Sequence, residues 1–162
     1  MKPAEARVQT QMGLFSTARN ARRDAKELGD GVWRRAYDRF GRSLDRVHQV
    51  LEGIEDDDLH NALILIANHL AELQSRVRVI CVEAQAKNPS TGENVPHELY
   101  AVHRMLSKAA NDLATTAQVA AMSRLDGERW GYASAGLENV AMRADLVAEG
   151  ISAAEAEMAK HR

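Results

Sequence analysis

The fold is decided most clearly by residues 59–84, which read LHNALILIANHLAELQSRVRVICVEA. Apolar residues recur there in alternating steps of four and three, from Leu59 and Leu63 to Ile80 and Ala84. Steps that average 3.5 residues keep one stripe of an α-helix turned toward partner helices along its whole length. The stretch therefore predicts a long helix with one buried side.

The same spacing returns in three other segments, 33–54, 99–120 and 133–158. Aromatic residues make up only 4% of the 162-residue chain, proline occurs three times, and no stretch alternates apolar and polar residues as a strand would. We therefore predict an all-α protein built as an antiparallel, up-down-up-down four-helix bundle with an additional N-terminal helix. The predicted bundle helices lie near 32–53, 57–86, 96–125 and 128–160.

Turn residues punctuate these helices. Gly29 is expected to end the N-terminal helix, and Gly53 is expected to cap the next helix with a positive φ. Asp56 and its acidic neighbours are expected to supply the N-cap of the third helix. Asp126-Gly127 favours a turn before the last helix, although a kinked continuation through Gly127 is the alternative.

Two parts of the chain are distinguished, an N-terminal helical arm at 1–30 and the bundle at 31–162. The arm carries apolar side chains that a solitary helix would leave in water. We expect them to form a homodimer contact, the alternative being a fifth helix packed on its own bundle. The possible contact residues are Val8, Met12, Phe15 and Leu28.

Charge is unevenly distributed although the net charge is only −2. Residues 1–46 hold eleven Lys and Arg against six Asp and Glu, a formal +5, which leaves −7 for the rest. Such a basic end can hold nucleic acid or an acidic partner, unless it is only a solvated face with helical ion pairs such as Asp38 with Arg42. The candidate contacts are Arg19, Arg22, Arg23, Lys26, Arg35, Arg39, Arg42 and Arg46.

Catalytic and metal-binding signals are weak. A di-iron bundle needs inward carboxylates and histidines, whereas the apolar seams contain neither, and Asp57-x-x-His60 and His69-x-x-Glu72 lie beside them. No nucleophile elbow or glycine-rich phosphate loop is present, and Cys81 is expected to be a small buried hydrophobe. We therefore predict no catalytic residue, no metal and no cofactor.

The sequence predicts a non-enzymatic helical interaction or regulatory module that acts through protein–protein contacts. The alternative is a nucleic-acid-associated protein that uses the basic N-terminal face, and a third possibility is a histidine phosphotransfer protein using His48, His60, His69 or His103. No apolar stretch is long enough to span a bilayer, and the N-terminus lacks the apolar core of a signal peptide. We therefore expect a bacterial-type cytoplasm and no membrane partner.

Overall fold

The computed structural model describes the backbone of residues 3–130 and 133–162 and the side chains of residues 16–125 and 136–162. Within those ranges the chain is helical and contains no β-strand, which confirms the predicted all-α class. A short 3₁₀ turn, His97–Leu99, precedes the fourth helix. The α-helices are α1 (Pro3–Leu28), α2 (Val32–Glu52), α3 (Asp57–Lys87), α4 (Tyr100–Trp130) and α5 (Ala133–Ala159).

The predicted turn at Asp126-Gly127 is wrong, because α4 continues through both residues to Trp130. A glycine inside a helix costs only about 1 kcal/mol relative to alanine. A cost of that size does not by itself end a helix, and α4 forms with α5 the most extensive helix pair among the described residues. Helix α5 consequently begins at Ala133 rather than near residue 128.

Two of the three predicted helix ends have the expected chemistry. Gly29 has a φ of 65°, and the Asp56 side chain accepts a hydrogen bond from the N–H of Leu59 at 2.7 Å. Gly53 differs, because it caps α2 with a φ of −91° instead of a positive value. A Cβ at Gly53 would overlap the guanidinium of Arg124, which is the far end of a flexible side chain and can move, so neither φ nor packing requires glycine at this cap.

The start of α2 depends on a loop that is distant in sequence. Gly31 has no side chain that can cap the helix, and the N–H of Val32 donates instead to the Oγ of buried Ser90 at 3.2 Å. The indole N–H of Trp33 donates to the carbonyl of Asn88 at 3.0 Å. The loop that follows α3 therefore anchors the first turn of α2.

The apolar seams meet in one hydrophobic core, as their spacing predicts. In α3 the whole seam is buried apart from the half-buried Ile66, and Leu70 at its centre is fully buried. In α4 the seam from Leu99 to Ala120 is buried throughout. Of the α5 seam, the first residue, Ala133, lies outside the described side chains.

Helices α4 and α5 form an antiparallel hairpin with close backbone contacts. A Cβ added to Gly136 would overlap the side chain of Ser123, and one added to Gly150 would lie 3.6 Å from the Cβ of Ala109. Residue numbers fall along α4 as they rise along α5, so the two helices run in opposite directions. Small residues at both levels let the helices pack tightly.

Helices α3 and α5 are parallel neighbours. Arg76 of α3 pairs with Glu155 of α5, and seven residues later Glu83 pairs with Arg162 just beyond the end of α5. Both helices therefore advance together along their contact. In the described residues, no helix combines the length and the apolar character needed to cross a membrane.

Among the described side chains of α1, those of its last two turns contact α3 and the core. Leu28 is fully buried in the core, and Arg78 of α3 pairs with Asp24 and Glu27 of α1 at 2.7 and 2.8 Å. The side chains from 16 to 23 are exposed. The division of the chain into an arm at 1–30 and a bundle at 31–162 stays a prediction.

Candidate functional site

Four of the predicted basic residues form one line on α2, which we call the arginine ridge. They recur in steps of four, three and four, so they share one side of the helix, and all four are exposed. The guanidinium of Arg39 donates to the Oδ1 of Asn111 on α4 at 2.6 Å, and that of Arg35 donates to the carbonyl of Gly92 in the loop before α4. The ridge comprises Arg35, Arg39, Arg42 and Arg46.

The ridge borders α4, which runs parallel to α2. The rings of Trp33 and His103 meet edge to face with centroids 5.9 Å apart, and further along Ser43 donates to the carbonyl of Ala110 at 3.2 Å. Residue numbers rise together along both helices. The ridge therefore flanks a long junction between α2 and α4, which we call the α2/α4 face.

No carboxylate pairs with any arginine of the ridge in the part of the chain whose side chains are described. Asp38 was the expected partner of Arg42, but both of its oxygens accept from the Nε of Arg34 at 3.0 Å. Arg34 and Asp38 lie one turn apart on another side of α2. The ridge is therefore a positive surface whose recorded hydrogen bonds, among the described side chains, go to neutral groups.

The basic residues of α1 do not extend the ridge. Arg23 pairs with Glu27 at 3.0 Å, and Glu27 also binds Arg78 of α3. These contacts hold the end of α1 beside α3, whereas the ridge faces α4. The other basic side chains of this cluster are exposed on α1, and they are Arg19, Arg22 and Lys26.

An open groove of about 510 Å³ lies between α2 and α4, past the last arginine of the ridge. We call it the alanine groove. Its apolar lining is formed by Val50, Ala114, Ala117 and Ala121. Its polar lining is formed by Arg46, Gln49, Gln118 and Arg124.

Sequence reasoning missed this groove although a signal for it exists. Ala110, Ala114, Ala117 and Ala121 recur in steps of four, three and four beside the main seam of α4. A second stripe of small residues on one side of a helix leaves room that larger side chains would fill. Only the position of α2 shows that this stripe remains partly uncovered.

The candidate histidines are in unlike surroundings and do not come together. His48 is exposed, a ring nitrogen of His60 lies 3.2 Å from the carbonyl of Leu51, and His69 is exposed beside Glu72. In the described residues, no group of three His, Cys, Asp or Glu side chains is placed to hold a metal ion.

Among the candidate histidines, all of which have described side chains, His103 contacts the α2/α4 face through Trp33. It is half-buried against Trp33, and its pKa is lowered below its usual value, first by burial and then by the positive charges of Arg35 and Arg39. The imidazole beside the ridge is therefore held neutral at pH 7. Cys81 is buried, as predicted, and burial raises the pKa of its thiol to about 12, so it has no nucleophilic thiolate.

The residues proposed for a dimer contact divide into two groups. Leu28 is fully buried in the core of its own chain. Val8, Met12 and Phe15 lie outside the described side chains.

Comparison with protein-family models, with curated proteins and with solved structures finds no match for the chain. Function is therefore inferred from the geometry of the α2/α4 face.

Proposed function

We propose that the chain is a non-enzymatic helical interaction module that binds a partner protein through the α2/α4 face. The observation that carries the proposal is the arginine ridge without carboxylate partners in the described side chains, in a chain where Asp and Glu outnumber Lys and Arg, 23 to 21. Cations held side by side repel one another, so an acidic partner gains favourable interactions there that the described side chains do not supply.

We also propose the architecture that carries this face. Helices α2 to α5 form a four-helix bundle whose successive helices alternate up and down. The antiparallel α4/α5 hairpin and the short link between α2 and α3 support this arrangement. With α2 beside α4 and α3 beside α5, the loop from 88 to 96 crosses the end of the bundle.

A second candidate is a nucleic-acid-associated protein, because an arginine ridge also suits a phosphate backbone without reading sequence. Histidine phosphotransfer stays a third possibility, for which His103 is the histidine nearest to the ridge. The cytoplasmic location and the bacterial-type source belong to the same proposal.

Affinity capture from a native lysate, carried out in parallel with and without nuclease treatment, tests the main proposal. The variant Arg39→Ala/Arg42→Ala/Arg46→Ala removes three charges from the ridge, and Arg19→Ala/Arg22→Ala/Lys26→Ala removes three from α1. We expect a protein that binds the native chain and the α1 variant but not the ridge variant. Recovery of nucleic acid alone, released by about 0.2 M salt, would replace the main proposal by the second candidate.

We propose further that the N-terminal arm makes the protein a homodimer. The support is its sequence pattern, together with the exposure of the described α1 side chains from 16 to 23. Sedimentation of the full chain is compared with that of a chain lacking residues 1–22, which keeps Leu28 and the two carboxylates that bind Arg78 in place. A dimer that becomes a monomer on truncation agrees with the proposal, whereas two monomers contradict it.

A further inference from the structure

We infer that the α2/α4 face binds an acidic amphipathic α-helix of the partner protein, with the helix's apolar side seated in the alanine groove. This inference rests on the proposed function and names the chemistry of the partner. Two independent features of the face carry it, the shape of the groove and the arrangement of charge along its side.

The shape favours a helix over a small molecule. The groove is open along its length, whereas sites for small molecules enclose most of the ligand surface. Its apolar floor consists of short side chains, Ala114, Ala117 and Ala121, with Val50 from α2. Short side chains on a helix surface leave a furrow into which the larger side chains of another helix can pack.

The charge pattern specifies an acidic helix. Arg39, Arg42 and Arg46 lie on one side of α2 in steps of three and four, which is also the spacing of residues along one side of a partner helix. Gln49 and Gln118 provide neutral hydrogen-bonding groups at the rim. A helix with leucines on one side and glutamates beside them fills the groove and meets the arginines at once.

The same features disfavour a nucleic acid as the occupant. A phosphate backbone gains from the arginines but finds no favourable contact on a floor of alanine methyl groups. Single strands also gain affinity when their bases stack on aromatic rings. The aromatic rings of α2 are buried or half-buried, whereas Tyr100 at the start of α4 is exposed, so the alanine floor is the feature that distinguishes a helix from a nucleic acid.

The test uses a fluorescent synthetic helix of about 18 residues, about 27 Å long, with leucines at i, i+3, i+4 and i+7 and glutamates on both flanks. Controls are a peptide of the same composition in scrambled order and a DNA duplex of similar length. Fluorescence anisotropy measures the binding of each probe to the full-length protein. We expect the amphipathic helix to bind at least about tenfold more tightly than the scrambled peptide.

Two variants, each with a control, test separately whether the charge of the ridge and the shape of the groove contribute to helix binding. Arg42→Ala/Arg46→Ala is expected to weaken helix binding at least about tenfold, whereas Arg19→Ala/Arg22→Ala leaves it unchanged. Ala121→Leu fills the groove without changing the charge and is also expected to weaken binding. Ala153→Leu, at an exposed site on α5, is its control. Thermal unfolding checks that each variant is folded.

Failure of the inference differs from failure of the proposed function. If the helix binds no better than its scrambled form, or if Ala121→Leu binds it as the native protein does, the groove is not the seat of a helix. The proposed function stands in that case if ridge substitutions still abolish capture of a protein from lysate. If the duplex binds more tightly than the helix, and only ridge substitutions weaken it, both are overturned.

Discussion

The α3/α5 contact and the α2/α4 face are both junctions of parallel helices. Arginines pair with carboxylates across the first junction but not, among the described side chains, across the second. Across α3/α5, the guanidinium of Arg76 donates to both oxygens of Glu155 at 2.8 and 2.6 Å, and Arg162 binds Glu83 in the same two-pronged way. These pairs lower the pKa of both carboxyl groups. Charge at this junction is matched within the chain.

Across α2/α4, no carboxylate among the described side chains pairs with the ridge. Arg39 meets an amide oxygen of Asn111, and the floor beyond it is alanine. The comparison teaches that the number of arginines does not identify a binding surface. The identifying feature is whether the neighbouring helix offers carboxylates, as α5 does to α3.

The largest expected loss of stability comes from a substitution in the hydrophobic core, to which the helices of both junctions contribute. Leu70→Asp places an unpaired charge among buried side chains and is expected to destabilise the protein by about 3–5 kcal/mol, enough to unfold a marginally stable domain. Leu65→Asp, on the same helix but 70% exposed, is the matched control. Circular dichroism during urea unfolding measures both. Equal stability of the two variants would contradict the assignment of α3's buried side.

A smaller effect is expected at the anchor of the ridge helix. Ser90→Ala leaves the buried N–H of Val32 without its acceptor and should lower the free energy of unfolding by about 1–2 kcal/mol. Ser75→Ala, at an exposed site on α3, should change it by less than about 0.5 kcal/mol. Urea titration of both variants is the measurement. If Ser90→Ala is as stable as Ser75→Ala, the cap contributes nothing to α2.

The two junctions are compared directly by the loss in free energy of unfolding that Arg76→Ala and Arg42→Ala cause. Because Arg76 and Glu155 are 37% and 39% exposed, solvent screens their pair, and its loss should cost only about 0.5 kcal/mol. Arg42→Ala should cost less, since no carboxylate of the described chain pairs with Arg42.

The difference in the free energy of unfolding between the native protein and Arg76→Ala should decrease as the pH falls. The pKa of Glu155 is lowered from 4.5 in the folded protein, chiefly by its hydrogen bond from Arg76. Its contribution is therefore present above pH 4.5 and is lost as pH falls through the lowered value. Unfolding measured from pH 7 to pH 3 should bring the native protein and Arg76→Ala together at low pH. A constant gap across that range would contradict the ion pair.

The smallest expected effect is a change in the pKa of His103, which tests whether the positive charges of the ridge act on this residue. Because burial and the positive charges of Arg35 and Arg39 lower the pKa of His103, the folded state favours the neutral imidazole. The associated stability is present above pH 6.5 and is lost as pH falls through the lowered value. NMR titration of the imidazole should show that Arg39→Ala raises this pKa and that Arg76→Ala does not. Equal shifts in both variants would mean that the ridge does not act on His103.

The sequence by itself determined the helical class and most of the core. Residues spaced by three and four can form one apolar stripe only on a helix, so Leu59 through Ala84 had to face other helices. The N-cap at Asp56 was equally predictable, because its hydrogen bond to Leu59 is local. At Asp126-Gly127 the local signal failed, since a glycine inside a helix costs only about 1 kcal/mol and α4 continues through both residues.

Only the tertiary structure decided which charges have partners. Arg42 belongs to a run of four arginines at helical spacing and Arg76 does not, but neither local pattern shows which arginine has a carboxylate partner. Glu155 is 79 residues from Arg76, and Asn111 is 72 residues from Arg39, so their pairing depends on which helices become neighbours. The periodicity of a helix specifies which side is buried but not which helix lies beside it. The α2/α4 face exists because α2 packs beside α4, and only the tertiary structure shows that.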